Sequence, residues 1–186
     1  AIVNKLGNLN KSKKIKVNNT LSALTRASKV VRKISSAKFI SITGSSGKTS
    51  LKDLLSFCLN KIAPTSKSIQ SFNNKFGVPL SLFNVKKNDK FAVLEVGMDK
   101  AGEIDNLTKI VNPNIGVITN ISYAHIKNFK SLTEIAKAKS EIINNIVEGG
   151  KIILNYDDDY FDFIKKIALR KNIHTVSFSK KNPLSD

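Results

Sequence analysis

The residues best suited to chemistry sit in a few short stretches. In "FISITGSSGKTS", residues 39–50, Gly44, Ser45, Ser46 and Gly47 separate a strand-like run from a helix-like segment opened by Lys48, Thr49 and Ser50. A glycine-rich turn entering a helix N-terminus offers backbone N–H groups and the positive end of the helix dipole to an anion. Lys48 would then reach the β- and γ-phosphates of a nucleotide, and the Thr49 hydroxyl would serve Mg²⁺. The general form of this loop places a glycine five positions before Gly47, where this chain has Ile42. A variant phosphate loop and an ordinary Gly/Ser turn both remain open on these residues alone.

Three more residues come forward by position. Glu95, in "FAVLEVGM", ends an apolar run, and a buried carboxylate there needs a compensating partner, a metal ion or a nearby lysine. His125 follows "IGVITNI"; taken alone it reads as well as an ordinary core or surface histidine. Lys139 lies in "SLTEIAKAKSEIINNIV", whose apolar stripe runs Leu132, Ile135, Ala136, Ile142, Ile143 and Ile146. That spacing turns Lys139 inward and Lys137 outward. Burial would favour its neutral amine, unless the side chain snorkels to water.

Alternating strand and helix patterns must position these groups. Strands are predicted at 39–43, 91–96, 115–121, 151–155 and 175–178, with a weaker one near 68–72. Helices are predicted near 21–35, 48–61, 77–84, 102–111, 131–147 and 158–171, with Thr20 as N-cap of the first and Ser131 with Glu134 as a capping box. The fold class is therefore α/β, a mainly parallel sheet with helices on both faces. In such folds ligands gather beyond the carboxyl ends of the strands, where Lys48, Glu95 and His125 all fall.

Composition narrows the class further. At 41% hydrophobic and 24% charged residues the chain is ordinary for a soluble domain, and no apolar run reaches membrane-spanning length. The net charge of +17 comes almost wholly from dispersed lysine, with no Trp and few Arg, which argues against a nucleic-acid surface. Cys58 is the single cysteine, so no internal disulfide forms, and it is expected to be a core thiol in a cytoplasmic protein. The chain opens Ala-Ile-Val and its one methionine is Met98, so a piece of a longer protein is expected.

These motifs together resemble the Mur ligase family of peptidoglycan precursor synthesis. "ITGSSGKTSLKDLL" is similar to the family's phosphate loop, which itself lacks the first glycine. "FNNKFGVPLSL", "VLEVGMDKAGEIDNL", "VITNISYAHIKNFKSLTEIAKAKSEI" and "GGKIILNYDDD" continue the likeness in order, over about residues 15–180. "FNNKFGVPLSL" resembles the branch that adds D-alanyl-D-alanine to UDP-N-acetylmuramoyl-tripeptide. The resemblance implies an ATP-dependent amide ligase acting through an acyl phosphate, with a P-loop NTPase-like central domain.

By that resemblance Gly44 to Ser50 bind ATP, Lys48 contacts phosphate, and Thr49, Glu95 and His125 serve Mg²⁺. Lys139 is implied as a catalytic lysine that CO₂ can convert to a metal-binding carbamate, and Asn73 and Asn74 as substrate- or metal-side residues. Asn120 and Asn155 are weaker candidates whose ordinary reading is structural. Residues 1–36 are expected to be the tail of an N-terminal UDP-substrate domain, and 37–186 an incomplete central domain. With no C-terminal ligase domain, the chain is expected to be inactive alone, and the whole enzyme to be a cytoplasmic monomer. Two alternatives stand beside this: a sister ligase of the diamino-acid-adding or folylpolyglutamate type, and a non-enzymatic nucleotide-binding module.

Overall fold

The computed structural model describes residues 2–3, 15–123 and 128–181. Strands β1 (Ile2–Val3) and β2 (Ile15–Lys16) form a short parallel pair ahead of helix α1 (Thr20–Ile34). Strand and helix then alternate through β3 (Lys38–Thr43), α2 (Lys48–Asn60), β4 (Thr65–Lys67), α3 (Gly77–Phe83), β5 (Phe91–Glu95) and α4 (Glu103–Val111). They continue through β6 (Ile115–Ile118), α5 (Leu132–Ser140), β7 (Lys151–Asn155), α6 (Phe161–Arg170) and β8 (His174–Phe178). The six strands from β3 onward make one parallel sheet in the order β4-β5-β3-β6-β7-β8.

Side-chain alternation along the strands divides the core in two. Phe39, Leu94, Ile118, Ile152 and Leu154 point to one face and pack with residues of α3, α4, α5 and α6. Ile40, Ile42, Val93 and Val117 point to the other and meet Leu51, Leu55 and Leu59 of α2. The runs are apolar on both faces because both are covered. Helix α1 packs outside the sheet layers, against α3 and α4. Its Arg32 donates to the carbonyls of Val111 (2.5 Å) and Asn112 (2.8 Å) at the end of α4, and its guanidinium lies 4.2 Å from the Phe39 ring centre. That answers two carbonyls a helix end leaves unpaired.

Several expectations need correction. The N-cap of α1 is Asn19, whose side chain accepts the Ser22 N–H at 2.8 Å, so Thr20 is the first helical residue. The weak strand predicted at 68–72 forms earlier, at Thr65–Lys67, where the chain runs beside β5; the Ser68 N–H still donates to the Val93 carbonyl at 2.9 Å, and the residues after it turn away. The strand predicted at 115–121 stops at Ile118, because Thr119, Asn120 and Ser122 bond to the loop before α2 instead. The helix predicted to 147 tightens into a 3₁₀ turn at Glu141–Asn145, whose Glu141 carboxylate accepts the Gly102 and Asp105 N–H groups at the start of α4. Cys58 is exposed, not a core thiol, because α2 turns it from the sheet. The inward stripe of α5 holds as read, with Ile135, Ala136 and Lys139 buried. Among the described residues no helix is long and apolar enough to cross a membrane.

Candidate active site

Helix α2 leaves β3 over one face of the sheet, and α4 leaves the adjacent β5 over the other. Neighbouring strands whose helices depart on opposite faces open a crevice at their carboxyl ends, where ligands of such sheets bind. The loop Gly44–Gly47 and Glu95 lie at that crevice.

Contacts beyond β6 hold the loop in shape. Asn120 Oδ1 accepts the N–H groups of Ser45 (3.1 Å) and Ser46 (3.0 Å), and its Nδ2 donates to Ser46 Oγ at 2.8 Å. Thr119 Oγ1 donates to the Ser46 carbonyl at 2.6 Å, and Ser45 Oγ bonds both the carbonyl and the N–H of Ser122. Thr119 approaches so closely that a Cβ on Gly44 would lie 1.8 Å from its hydroxyl, and Gly44 has φ +148°. Only glycine fits there. Asp158 secures the far side by accepting the Ile121 N–H at 2.6 Å. Asn120 thus has a structural task, and Asn155 likewise accepts the Asp157 N–H at 3.0 Å in a turn.

Lys48 opens α2 and folds back so that its ammonium donates to the Gly44 carbonyl at 2.9 Å. Partial burial lowers its pKa, opposed by the negative charge of Glu95. Glu95 is 1% exposed and forms no close ion pair among the described residues, though Lys48 lies within reach of its charge; two neutral donors hold its carboxylate. Thr49 Oγ1 donates to Oε2 and Asn73 Nδ2 to Oε1, each at 2.8 Å. The Asn73 carbonyl in turn accepts the Gly97 N–H at 2.8 Å, and a Cβ on Gly97 would come within 2.8 Å of the Asn73 side chain. Asn74 Oδ1 accepts the N–H groups of Phe76 and Gly77, each at 3.0 Å, where the chain enters α3.

A cavity of about 510 Å³ opens above these groups, lined by Gly44, Lys48, Asn73, Asn74 and Lys139 together with Met98 and Leu107. Lys139 is 2% exposed and has no hydrogen-bond or ion-pair partner among the described residues. Burial, and secondarily the charge of Lys48, push its pKa down to about 7. The structure therefore brings Lys48, Thr49, Asn73, Glu95 and Lys139 together. His125 lies outside the described residues. Among the described residues no three His, Cys, Asp or Glu converge, so a protein-only metal cage is absent there. The Thr49 hydroxyl and Glu95 carboxylate are hard oxygen donors side by side. They fit Mg²⁺, which takes one or two protein oxygens and completes its octahedron with phosphate and water.

Sequence reasoning passed over Lys52 and Asp158. Lys52 stands beside Leu51, Leu55 and Ser56 on the inner side of α2, a spacing that would have marked it as buried. Asp158 gave no comparable signal, since its partner Ile121 is 37 residues away.

Residues 42–186 match the model of the Mur ligase middle domain. The chain is 40% identical over 168 residues to the UDP-N-acetylmuramoyl-tripeptide–D-alanyl-D-alanine ligase of Buchnera aphidicola subsp. Baizongia pistaciae, covering 90% of this chain and 36% of that protein. Crystallised MurF from Acinetobacter baumannii superposes with a TM-score of 0.86 at 34% identity, over 97% of this chain and 39% of that one. MurF ligase from Thermotoga maritima, crystallised in complex with ADP, superposes with a TM-score of 0.83 at 27% identity, over 97% of this chain and 41% of the other. The chain thus spans about two fifths of the length of these relatives.

Proposed function

Because the chain belongs to the Mur ligase family, we propose that it supplies the ATP site of an ATP-dependent ligase that adds D-alanyl-D-alanine to UDP-N-acetylmuramoyl-tripeptide. The observation that carries this reading is that Lys48 and the buried Lys139 line one cavity beyond β3 and β5, with the Thr49–Glu95 pair tied to its wall by Asn73. Residues 37–186 are read as an incomplete central domain and 1–36 as the end of a preceding uridine-nucleotide domain. In the longer protein, a further domain would carry D-alanyl-D-alanine.

The chemistry follows from placement. The N–H groups at the start of α2 and the Lys48 ammonium bind and orient the triphosphate, and neutralise charge as the γ-phosphoryl group moves. The tripeptide's terminal carboxylate oxygen attacks the γ-phosphorus, the bond to the β–γ bridging oxygen breaks, and ADP leaves an acyl phosphate. The amine of D-alanyl-D-alanine then attacks the acyl carbon, phosphate departs, and the amine loses a proton to give the amide. Thr49 and Glu95 would hold Mg²⁺, with His125 as a further proposed ligand; the metal would supply charge neutralisation at the phosphates. Lys139, whose amine is partly neutral at neutral pH, is suited to bond CO₂ and release a proton. The resulting carbamate would replace a costly buried cation with an anion that metal can use.

The test is ADP release by the full-length protein. It is expected to require UDP-N-acetylmuramoyl-tripeptide and D-alanyl-D-alanine together. Release driven by folate and glutamate instead would overturn the assignment.

A further inference from the structure

Lys52 is 1% exposed, yet it has no part in the chemistry above. A lysine is almost never so buried without a partner. Its ammonium donates to the backbone carbonyl of Gln70, and Asp53 Oδ1 lies 3.5 Å away. Gln70 has a left-handed backbone, φ +45°, in the turn closed by the Phe72 N–H on the Ile69 carbonyl at 2.9 Å. A non-glycine residue holds that conformation at a cost, so something outside the turn must retain it. Three residues on, the same loop presents Asn73 to Glu95 and to the Gly97 N–H.

We propose that Lys52 is a positioning residue for the metal-side carboxylate. It ties the Gln70 turn to α2, the helix that carries Lys48 and Thr49, and so holds Asn73 on Glu95 Oε1. The carboxylate is then aimed from two sides: Thr49 directly from α2, and Asn73 through a loop anchored one turn further along the same helix. Outer contacts of this kind orient the ligands of metal sites, and their loss typically costs about 10–100-fold in metal affinity or activity. This inference rests on the proposed role of Glu95.

Two readouts test it in the full-length protein. Hydrogen exchange at the Gly97 amide, without nucleotide or metal, reports the loop alone. Lys52→Met is expected to accelerate that exchange at least about tenfold, since the Asn73 carbonyl is no longer held in place. Lys52→Met and Asn73→Ala are each expected to raise the Mg²⁺ concentration for half-maximal ADP release about 10–100-fold, leaving the KM for ATP at saturating Mg²⁺ unchanged. The double variant is expected to go no further than Asn73→Ala, because both lie on one path. Lys52→Arg, which keeps a donor for the Gln70 carbonyl, is expected to recover most of the loss.

Lys52→Gln, too short to reach that carbonyl, replaces Lys52→Met if the latter does not fold. Unchanged Gly97 exchange in whichever variant folds overturns the proposal, as do additive effects in the double variant. Faster exchange without any Mg²⁺ effect leaves the anchor but overturns its role at Glu95. Failure of the wild-type protein to release ADP would instead count against the ligase reading.

Discussion

Thr49 Oγ1 donates to Glu95 Oε2 at 2.8 Å, joining the first turn of α2 to the end of β5 across 46 residues of sequence. The contact exists because β3 and β5 are adjacent and in register, Ile42 opposite Glu95. Replacing Thr49 with Val keeps the shape and removes the donor. The nearly inaccessible carboxylate would then keep only Asn73, at a cost of about 1–2 kcal/mol in denaturant-measured stability. ADP release is expected to fall on the order of 100-fold, with the shortfall largest at low Mg²⁺. Normal Mg²⁺ dependence in Thr49→Val would contradict the assigned role.

The buried ammonium of Lys139 makes stability depend on pH. Its folded pKa is about 7 against an ordinary 10.5, so below about pH 7 the amine is protonated folded or unfolded, and folding carries the full cost of burying the charge. Between about pH 7 and 10.5 the unfolded chain holds a proton the folded one has released, and stability rises with pH. The whole displacement corresponds to about 5 kcal/mol. Denaturation midpoints from pH 6.5 to 9.5 are expected to climb in the wild type and to flatten in Lys139→Met. A mass gain of one CO₂ at Lys139, or activity of Lys139→Ala restored by short carboxylates, would establish the carbamate. An unaffected Lys139→Ala enzyme would refute it.

Gly44 admits no side chain, since a Cβ would sit 1.8 Å from the Thr119 hydroxyl and the backbone is at φ +148°. Gly44→Ala is therefore expected to push the loop from Thr119 and Asn120, at about 1–3 kcal/mol of strain. ADP affinity, read by calorimetric titration, should fall at least about tenfold, more than after an exposed change such as Leu54→Ala.

Arg32 offers a contrast, because its contacts are far from the cavity. Its bonds to Val111 and Asn112 and its stacking on Phe39 predict a loss of about 2–3 kcal/mol in Arg32→Ala. Arg32→Lys should regain less than half, since an ammonium cannot fork between two carbonyls while stacking on a ring. The KM for ATP should not move in either variant.

Local pattern and composition were enough for most elements from β3 onward, though not for all their bounds. Strand runs, the α5 stripe that buries Lys139, and the turn-to-helix transition at Lys48 are short-range signals that burial periodicity writes directly into the chain. The segment "FNNKFGVPLSL" was likewise legible as a family motif. What periodicity does not encode is who meets whom. The order β4-β5-β3-β6-β7-β8 alone puts Glu95 beside Thr49 and Asn120 beneath Ser45 and Ser46. The weak strand signal fell at 68–72, yet Thr65–Lys67 is what pairs with β5, because the neighbouring strand supplies the hydrogen bonds. The buried Lys52 became meaningful only once the Gln70 carbonyl stood above it. Hydrogen bonds between distant segments depend on the closure of the whole sheet, so they were decided by the tertiary structure and not by any stretch of sequence.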